Sequence, residues 1–289
     1  MIPINNSVIL ALRRDVSIMS ETDVQQYKPA KTTTQQIEYL KDNKRVTFNE
    51  IGEDEASELL LRYNYTNIIS PYKHRLAKID DNRKVVKQGG KHVYERNVDF
   101  KEYYDCFILE RQKYPRMIKN VLEFEIHFKS ILAYHVLNKY KLSDSNSLEV
   151  FLDNLKINIS LNQTENLKKK KKHMKEQIDE LIHEISEYAD VYCFFDRMTL
   201  GKTLTIYSSI PYNLQNIIFA DLKKFGMTFN VNKVPDFIDK VFCMVAIRNC
   251  IMHCNSLEIL VRFYNPKTKD LRKVSDKKKF QSMINYLCQ

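Results

Sequence analysis

Glycine is scarce in this chain, five in 289 residues, where an ordinary globular protein carries roughly 7%. Gly52, Gly89, Gly90, Gly201 and Gly226 are too few and too scattered to build a G-x-G-x-x-G turn or a phosphate-cradling P-loop. Dinucleotide-binding and P-loop enzymes are therefore excluded. Proline is also sparse at seven, which argues against a turn-rich all-β sandwich. Tryptophan is absent altogether. No apolar run approaches the roughly 20 residues that span a bilayer; the longest, Val241–Ile247, falls far short. The apolar stretch Ser7–Leu12 is followed, not preceded, by Arg13-Arg14, so it does not read as a secretory leader. Cysteines at 106, 193, 243, 250, 254 and 288 show no paired framework. That is the pattern of reduced thiols, and it predicts a cytoplasmic protein with no membrane partner.

What is present is helix-forming residues and positive charge. Hydrophobic residues make up 44% and charged residues 28%, enough to bury a sizeable core and inconsistent with disorder. The 46 Lys+Arg against 36 Asp+Glu leave a net charge of +10, which favours a polyanionic partner such as nucleic acid.

The pattern along the chain predicts a mainly α protein. Residues 1–30 read as an irregular arm ending at Pro29. Thr32–Thr34 then cap a short helix over Gln35–Lys41, with Ile37 and Leu40 as its apolar pair. Arg45–Ile51 is ambiguous, and Asp54–Tyr63 has helical spacing. Two β-prone runs around Gly89-Gly90 predict a hairpin over 85–94. From Asp99 to Leu142 the spacing is helical, broken at Pro115, and Ile118, Val121, Leu122, Phe124, Phe128, Ile131 and Leu132 form a wide bundle-type stripe. Ser143–Ser147 reads as a polar linker before a helix over Leu148–Ile159. Five consecutive lysines, Lys168 to Lys172, lead into a helical pattern through Tyr188. Helices are also expected over Pro211–Phe225, from Pro235 to about Phe263, and over Phe280–Leu287 after a basic tail. The expected division is an N-terminal region, 1–98, and a helical domain, 99–289, with an inserted basic helix over 148–188.

One segment carries chemistry-bearing residues inside an apolar helix: Arg248, Asn249 and His253 within 246–257. A cation there requires a partner or a task. Asn249 and His253, four apart, share a helical face. Arg248 and His253 are five apart, about 140° around an ideal helix, so a composite site with a second helix copy is expected. Val241, Val245 and Leu260 would supply its interface. The residue types suit RNA cleavage. Histidine exchanges a proton near neutral pH, and arginine stabilises growing phosphate charge. The plainer alternative is that Arg248 and Asn249 brace neighbouring helices while His253 packs in the core. Cys250, His253, Cys254 and Cys243 superficially suggest zinc, but they lack a C-x-x-C pair and radiate around one helix. Lys168 to Lys172 read either as a phosphate rail or as a solvated face. Lys84, Lys87, Lys91 and His92 on the hairpin, and the basic tail, are similar. Tyr72, Tyr94, Tyr103, Tyr104 and Tyr264 could stack on unpaired bases, although most tyrosines in a helical bundle merely pack.

The ordered landmarks of the chain resemble those of the Abi-like abortive-infection family of bacteria, of the AbiD/AbiF type. These are Lys28-Pro29 with Thr34–Lys41, then Glu125 through Tyr134, then Asp196 through Leu204, and finally Arg248-Asn249 with His253. Together they span about residues 28–264. Lys129 stands where the family's helix usually has Arg, and Tyr192 where it often has Trp. The last pattern is similar to the Arg-polar-gap-His signature of HEPN-superfamily ribonucleases. The resemblance implies a HEPN-like helical bundle with an N-terminal helical extension and a small β-hairpin, acting as a homodimer with two Arg/His motifs facing each other. It implies a metal-independent endoribonuclease toxin needing no cofactor, in some members restrained by a structured noncoding RNA. By motif match Arg248, Asn249 and His253 take catalytic roles, with Glu125 as the supporting acid. Lys87, Lys91, Lys129, Lys168, Lys169, Lys170, Lys171 and Lys172 are the expected RNA-binding residues. The alternative function is an RNA-binding module of a defence or toxin–antitoxin system in which the motif is silent.

Overall fold

A computed structural model of the chain describes residues 30–78, 80, 86–89, 91–94, 96–161, 168–262 and 274–289. Apart from Ala30 the expected N-terminal arm lies outside these, as do Tyr264 and the basic stretch 267–273.

Helix α1 (Thr33–Lys44) starts where the Thr32 hydroxyl accepts the Gln35 N–H at 3.2 Å and the Gln35 side chain accepts the Thr32 N–H at 3.1 Å. This reciprocal cap satisfies two orphan donors. The segment left ambiguous by sequence supplies β1 (Val46–Thr47). Helix α2 (Glu53–Tyr63) opens with Glu53, Asp54 and Glu55, which suit the positive end of the helix dipole, and buries Ala56, Leu59 and Leu60. Two short helices follow, α3 (Tyr65–Ile68) and α4 (Lys73–Leu76). The expected hairpin is present but short: β2 (Lys87–Gln88) pairs antiparallel with β3 (Lys91–His92), and Gly89 turns with φ +56°. Strand β4 (Val98–Asp99) pairs in parallel with β1, Val46 opposite Val98.

Asp99 does two jobs. One carboxylate oxygen caps α5 (Phe100–Arg111) by accepting the Lys101 N–H at 3.0 Å. The other accepts the Asn49 N–H at 2.9 Å and the Thr47 hydroxyl at 3.0 Å. Burial pushes its carboxyl up, but these hydrogen bonds outweigh burial and hold it below the ordinary value.

The long helix α6 (Tyr114–Tyr140) carries Pro115 in its first turn, where the missing N–H leaves no bond unmade. Helix α7 (Ser145–Leu161) begins within the expected linker, because Asp144 accepts the Ser147 N–H at 2.8 Å and starts it early. Helix α8 (Lys168–Glu184) takes the five lysines as its opening residues, so the run is part of the helix and not a lead-in to it. Then come a 3₁₀ turn (Ile185–Glu187), α9 (Val191–Arg197), α10 (Leu200–Ser209) and α11 (Tyr212–Lys224). The chain closes with α12 (Val234–Met252), α13 (Glu258–Arg262) and α14 (Val274–Leu287).

Burial divides into two cores. The first gathers Ile37, Leu40, Val46, Leu60, Ile68, Tyr72, Val98, Phe100, Tyr103 and Phe107. Helix α5, beyond the boundary expected at residue 98, therefore packs with the N-terminal elements. The second is centred on the stripe Met117, Val121, Phe124, Phe128 and Leu132 of α6, against Phe237, Val241, Met244 and Ile247 of α12. Phe124, Phe128, Tyr207, Phe219 and Phe229 ring Phe237 with centroids 5.5–6.2 Å away. Such contacts fix the register of α6 against α12. Among the described residues no helix is long and apolar enough to cross a membrane.

Two expectations fail here. Val241 and Leu260 lie inside this chain's own core, so they cannot supply an intersubunit surface. Tyr72, Tyr94 and Tyr103 are buried in the first core and cannot stack on bases.

Candidate active site

Glu125 lies beside the apolar stripe of α6, and the packing that buries Phe124 and Phe128 takes its carboxylate down with them, to 5% exposure. A buried carboxylate needs cations or donors. Lys129, one turn later, brings its ammonium to 3.0 Å from Oε1 and donates to the Asp196 carbonyl at the end of α9, also at 3.0 Å. From α12, Arg248 Nε stands 4.0 Å from Glu125 Oε2. Arg248 Nη1 also donates to the Asn249 side-chain oxygen at 3.3 Å. Arg248 Nε and Glu125 Oε2 are buried atoms without a protein hydrogen bond, so their 4.0 Å approach is an ion pair and not a bond. Three sequence landmarks, Glu125–Tyr134, Asp196–Leu204 and Arg248-Asn249, thus meet at one place. Lys129 is ion-paired to Glu125 on one side and donates to Asp196 on the other.

His253 is placed differently from the expectation. Helix α12 does not run to Phe263; it stops at Met252 with His253 as its cap residue. Cys254 takes the left-handed conformation, φ +55°, its N–H reaching the Ile251 carbonyl at 2.9 Å and the Asn255 N–H reaching the Cys250 carbonyl at 2.9 Å. This is the double bond pattern that usually ends on glycine. Here a cysteine fills it, and the continued apolar spacing through Leu257 and Leu260 gave no sign of the break. The plainer reading of His253 as a core residue does not hold: it is exposed, as is Asn249. The structure brings Arg248 to Glu125 and leaves His253 on the surface at the end of the same helix.

Cys250 is buried, and burial together with the Glu110 carboxylate pushes its thiol up to about 12. It is a protonated thiol donating to the Ser256 carbonyl at 3.2 Å, not a ready metal ligand. Among the described residues no group of three or more His, Cys, Asp or Glu is arranged to hold a metal ion.

The other expected RNA contacts sit on separate elements. Lys87 and Lys91 are in the hairpin, and Lys168 to Lys172 are in the first turns of α8, where Lys172 pairs with Glu176 at 3.9 Å. Sequence reading missed Glu110, Arg111 and Tyr114, which bind the loop behind His253, and Ser256 within that loop. Their partners are far apart in the chain, so no spacing pattern marks them.

A family model described as Abi-like protein matches residues 58–257, more than half of the 289 residues. Among curated proteins and among solved structures no match was found.

Proposed function

Because the chain belongs to the Abi-like protein family, a class of abortive-infection defence proteins, we propose that it acts in defence as a HEPN-type endoribonuclease that cleaves RNA at Arg248 and His253. The observation that carries this reading is the division of labour on one helix end. Arg248 is a cation held between Glu125 and Asn249, and His253 is an exposed imidazole five positions on. A held guanidinium suits phosphate charge that grows in the transition state, and an exposed imidazole suits proton transfer.

The chemistry is internal transesterification. The ribose 2′-oxygen attacks the adjacent phosphorus, its proton going to a base, and the bond from phosphorus to the 5′-oxygen breaks as that oxygen takes a proton. The products are a 2′,3′-cyclic phosphate and a 5′-hydroxyl. His253 moves protons, Arg248 stabilises the phosphorane oxygens, and Asn249 holds the guanidinium plane. Glu125, flanked by Lys129, keeps Arg248 in place from behind.

A second copy of the chain completes the site in this reading. Arg248 is tied to Glu125 while His253 is exposed beyond the helix end, and exposed apolar side chains lie on the same two helices: Leu122 and Ile126 on α6, Phe242 and Met252 on α12. These take the place of Val241 and Leu260 as interface residues. The +10 charge supports RNA as the partner, a restraining noncoding RNA included.

The test is purified protein with single-stranded RNA in EDTA, wild type against Arg248→Ala and His253→Ala. Cleavage by wild type and its loss in both variants, with RNA affinity kept, is the expected result. RNA binding without cleavage would leave the silent binding module.

A further inference from the structure

Three side chains from outside α12, those of Glu110, Arg111 and Tyr114, make four hydrogen bonds to the four residues that follow His253. The Glu110 carboxylate, at the end of α5, accepts the Leu257 N–H at 2.6 Å on one oxygen and the Ser256 hydroxyl at 2.9 Å on the other. The same carboxylate accepts the hydroxyls of Tyr72, at 2.9 Å, and Tyr114. The Tyr114 hydroxyl also reaches the Asn255 carbonyl at 3.0 Å. Next to it, Arg111 Nη2 donates to the Cys254 carbonyl at 3.0 Å, its guanidinium seated 4.2 Å from the Phe107 ring centroid and 5.6 Å from that of Tyr114. Every residue from Cys254 to Leu257 is thereby tied to α5 or to the first turn of α6.

The turn held in this way is one the backbone resists. Cys254 has φ +55°, a left-handed conformation that the Cβ of an L-residue disfavours. Such a residue stays there only when its surroundings over-determine it, and such strain gathers at functional positions. The surroundings here are Arg111 on the Cys254 carbonyl, Tyr114 on the Asn255 carbonyl, and Glu110 on Ser256 and Leu257. His253 is the cap residue immediately before the strained turn. Its backbone N–H is bonded to the Asn249 carbonyl at 3.0 Å, so the direction of its side chain follows from where the chain leaves the helix.

We infer that Glu110 and Arg111 are positioning residues for His253, fixing the strained turn behind it from the N-terminal core. The inference rests on the nuclease reading of Arg248 and His253 for its activity arm. It adds that the pose of the imidazole is set by a helix whose own side chains, Phe100, Tyr103 and Phe107, pack in the other core. A shift of α5 would therefore reach His253 through this loop, while Arg248 is paired with Glu125 on α6.

The experiment uses the full chain and three variants. Arg111→Met keeps the stem over Phe107 and loses the bond to Cys254. Glu110→Gln keeps the shape and removes the charge that gathers the loop. Ser256→Ala removes a single donor. For each, RNA cleavage kinetics, the melting temperature, amide exchange over 253–257 and the His253 imidazole NMR signals are measured. Arg111→Met and Glu110→Gln should lower kcat about tenfold to a hundredfold with KM within about threefold, the pattern of a misplaced group and not of lost binding. The amides of Asn255 and Leu257 should exchange faster, the His253 signals should broaden or split, and Ser256→Ala should shift both less. Loosened amides with an unchanged kcat would overturn the positioning role. If the wild type cuts no RNA, the nuclease reading fails on its own. The exchange rates and His253 signals then decide, and no change in them across the folded variants overturns the inference.

Discussion

Glu125 on α6 and Arg248 on α12 face each other Oε2 to Nε at 4.0 Å, while Lys129 reaches the other carboxylate oxygen at 3.0 Å. One buried carboxylate thus serves two cations, in a close ion pair with the one on its own helix and a more distant one with the one on the opposite helix. A loosely paired arginine keeps donors for another anion.

The pairing predicts unequal couplings. Glu125→Gln strands Lys129 and Arg248 with little exposure, and breaking a buried ion pair from one side costs about 3 kcal/mol or more. In double-mutant cycles Glu125–Lys129 should couple more strongly than Glu125–Arg248, both within about 0.5–3 kcal/mol. Urea unfolding of the single and double variants measures this. A larger coupling for Arg248 would mean that it is a structural brace, which weakens its assignment to phosphate.

Acid should weaken the N-terminal core. The Asp99 carboxyl lies below its ordinary value through bonds from Asn49, Lys101 and Thr47 despite burial, and Glu102 lies below its own mainly through the Arg96 side chain. Folded values below unfolded ones add stability above the ordinary carboxylate range, and that stability is lost as pH falls through the folded values. Asp99→Ala should cost about 1–2 kcal/mol at pH 7, as for a lost helix cap. The gap to wild type should shrink below about pH 4. Denaturation at pH 7 and pH 3 reads this, and an unchanged gap would contradict it.

Much of the architecture is legible in the sequence because its signals are local. Thr32 with Gln35, the acidic start at Glu53, Pro115, and Gly89 each mark an element end by their own backbone chemistry, and the structure has an element end or turn at each. The end of α12 is not legible. Its left-handed residue is Cys254, not glycine, and the side chains that bond the following loop, Glu110, Arg111 and Tyr114, sit more than a hundred residues earlier. Tyr72, Tyr94 and Tyr103 misled for the same reason: an aromatic that packs and one that stacks on a base are the same letter. Glu125 was marked only by the family pattern, since a carboxylate beside an apolar stripe does not announce a partner on another helix.

The strained turn gives a stability prediction of its own. Cys254→Gly should raise stability by about 1 kcal/mol, by relieving the left-handed backbone. Cys254→Val should lower it, since branching at Cβ worsens the same clash. Chemical denaturation decides, and a destabilised glycine variant would mean that the Cys254 side chain contributes more than the backbone conformation costs.

Association should depend on the exposed apolar residues at the site. Phe242→Asp with Ile126→Asp should turn a dimer into a monomer by light scattering and abolish cleavage, because charge is excluded from the centre of an interface. A wild type that is monomeric and active at assay concentration would remove the composite site.

The most direct test of the account is the chemical form of the RNA ends left by the purified protein in EDTA. Mass analysis should find 2′,3′-cyclic phosphate and 5′-hydroxyl termini, lost when the scissile ribose is 2′-deoxy and lost in His253→Ala and Arg248→Ala. Cleavage that survives the 2′-deoxy substitution, or full activity in both variants, would contradict it.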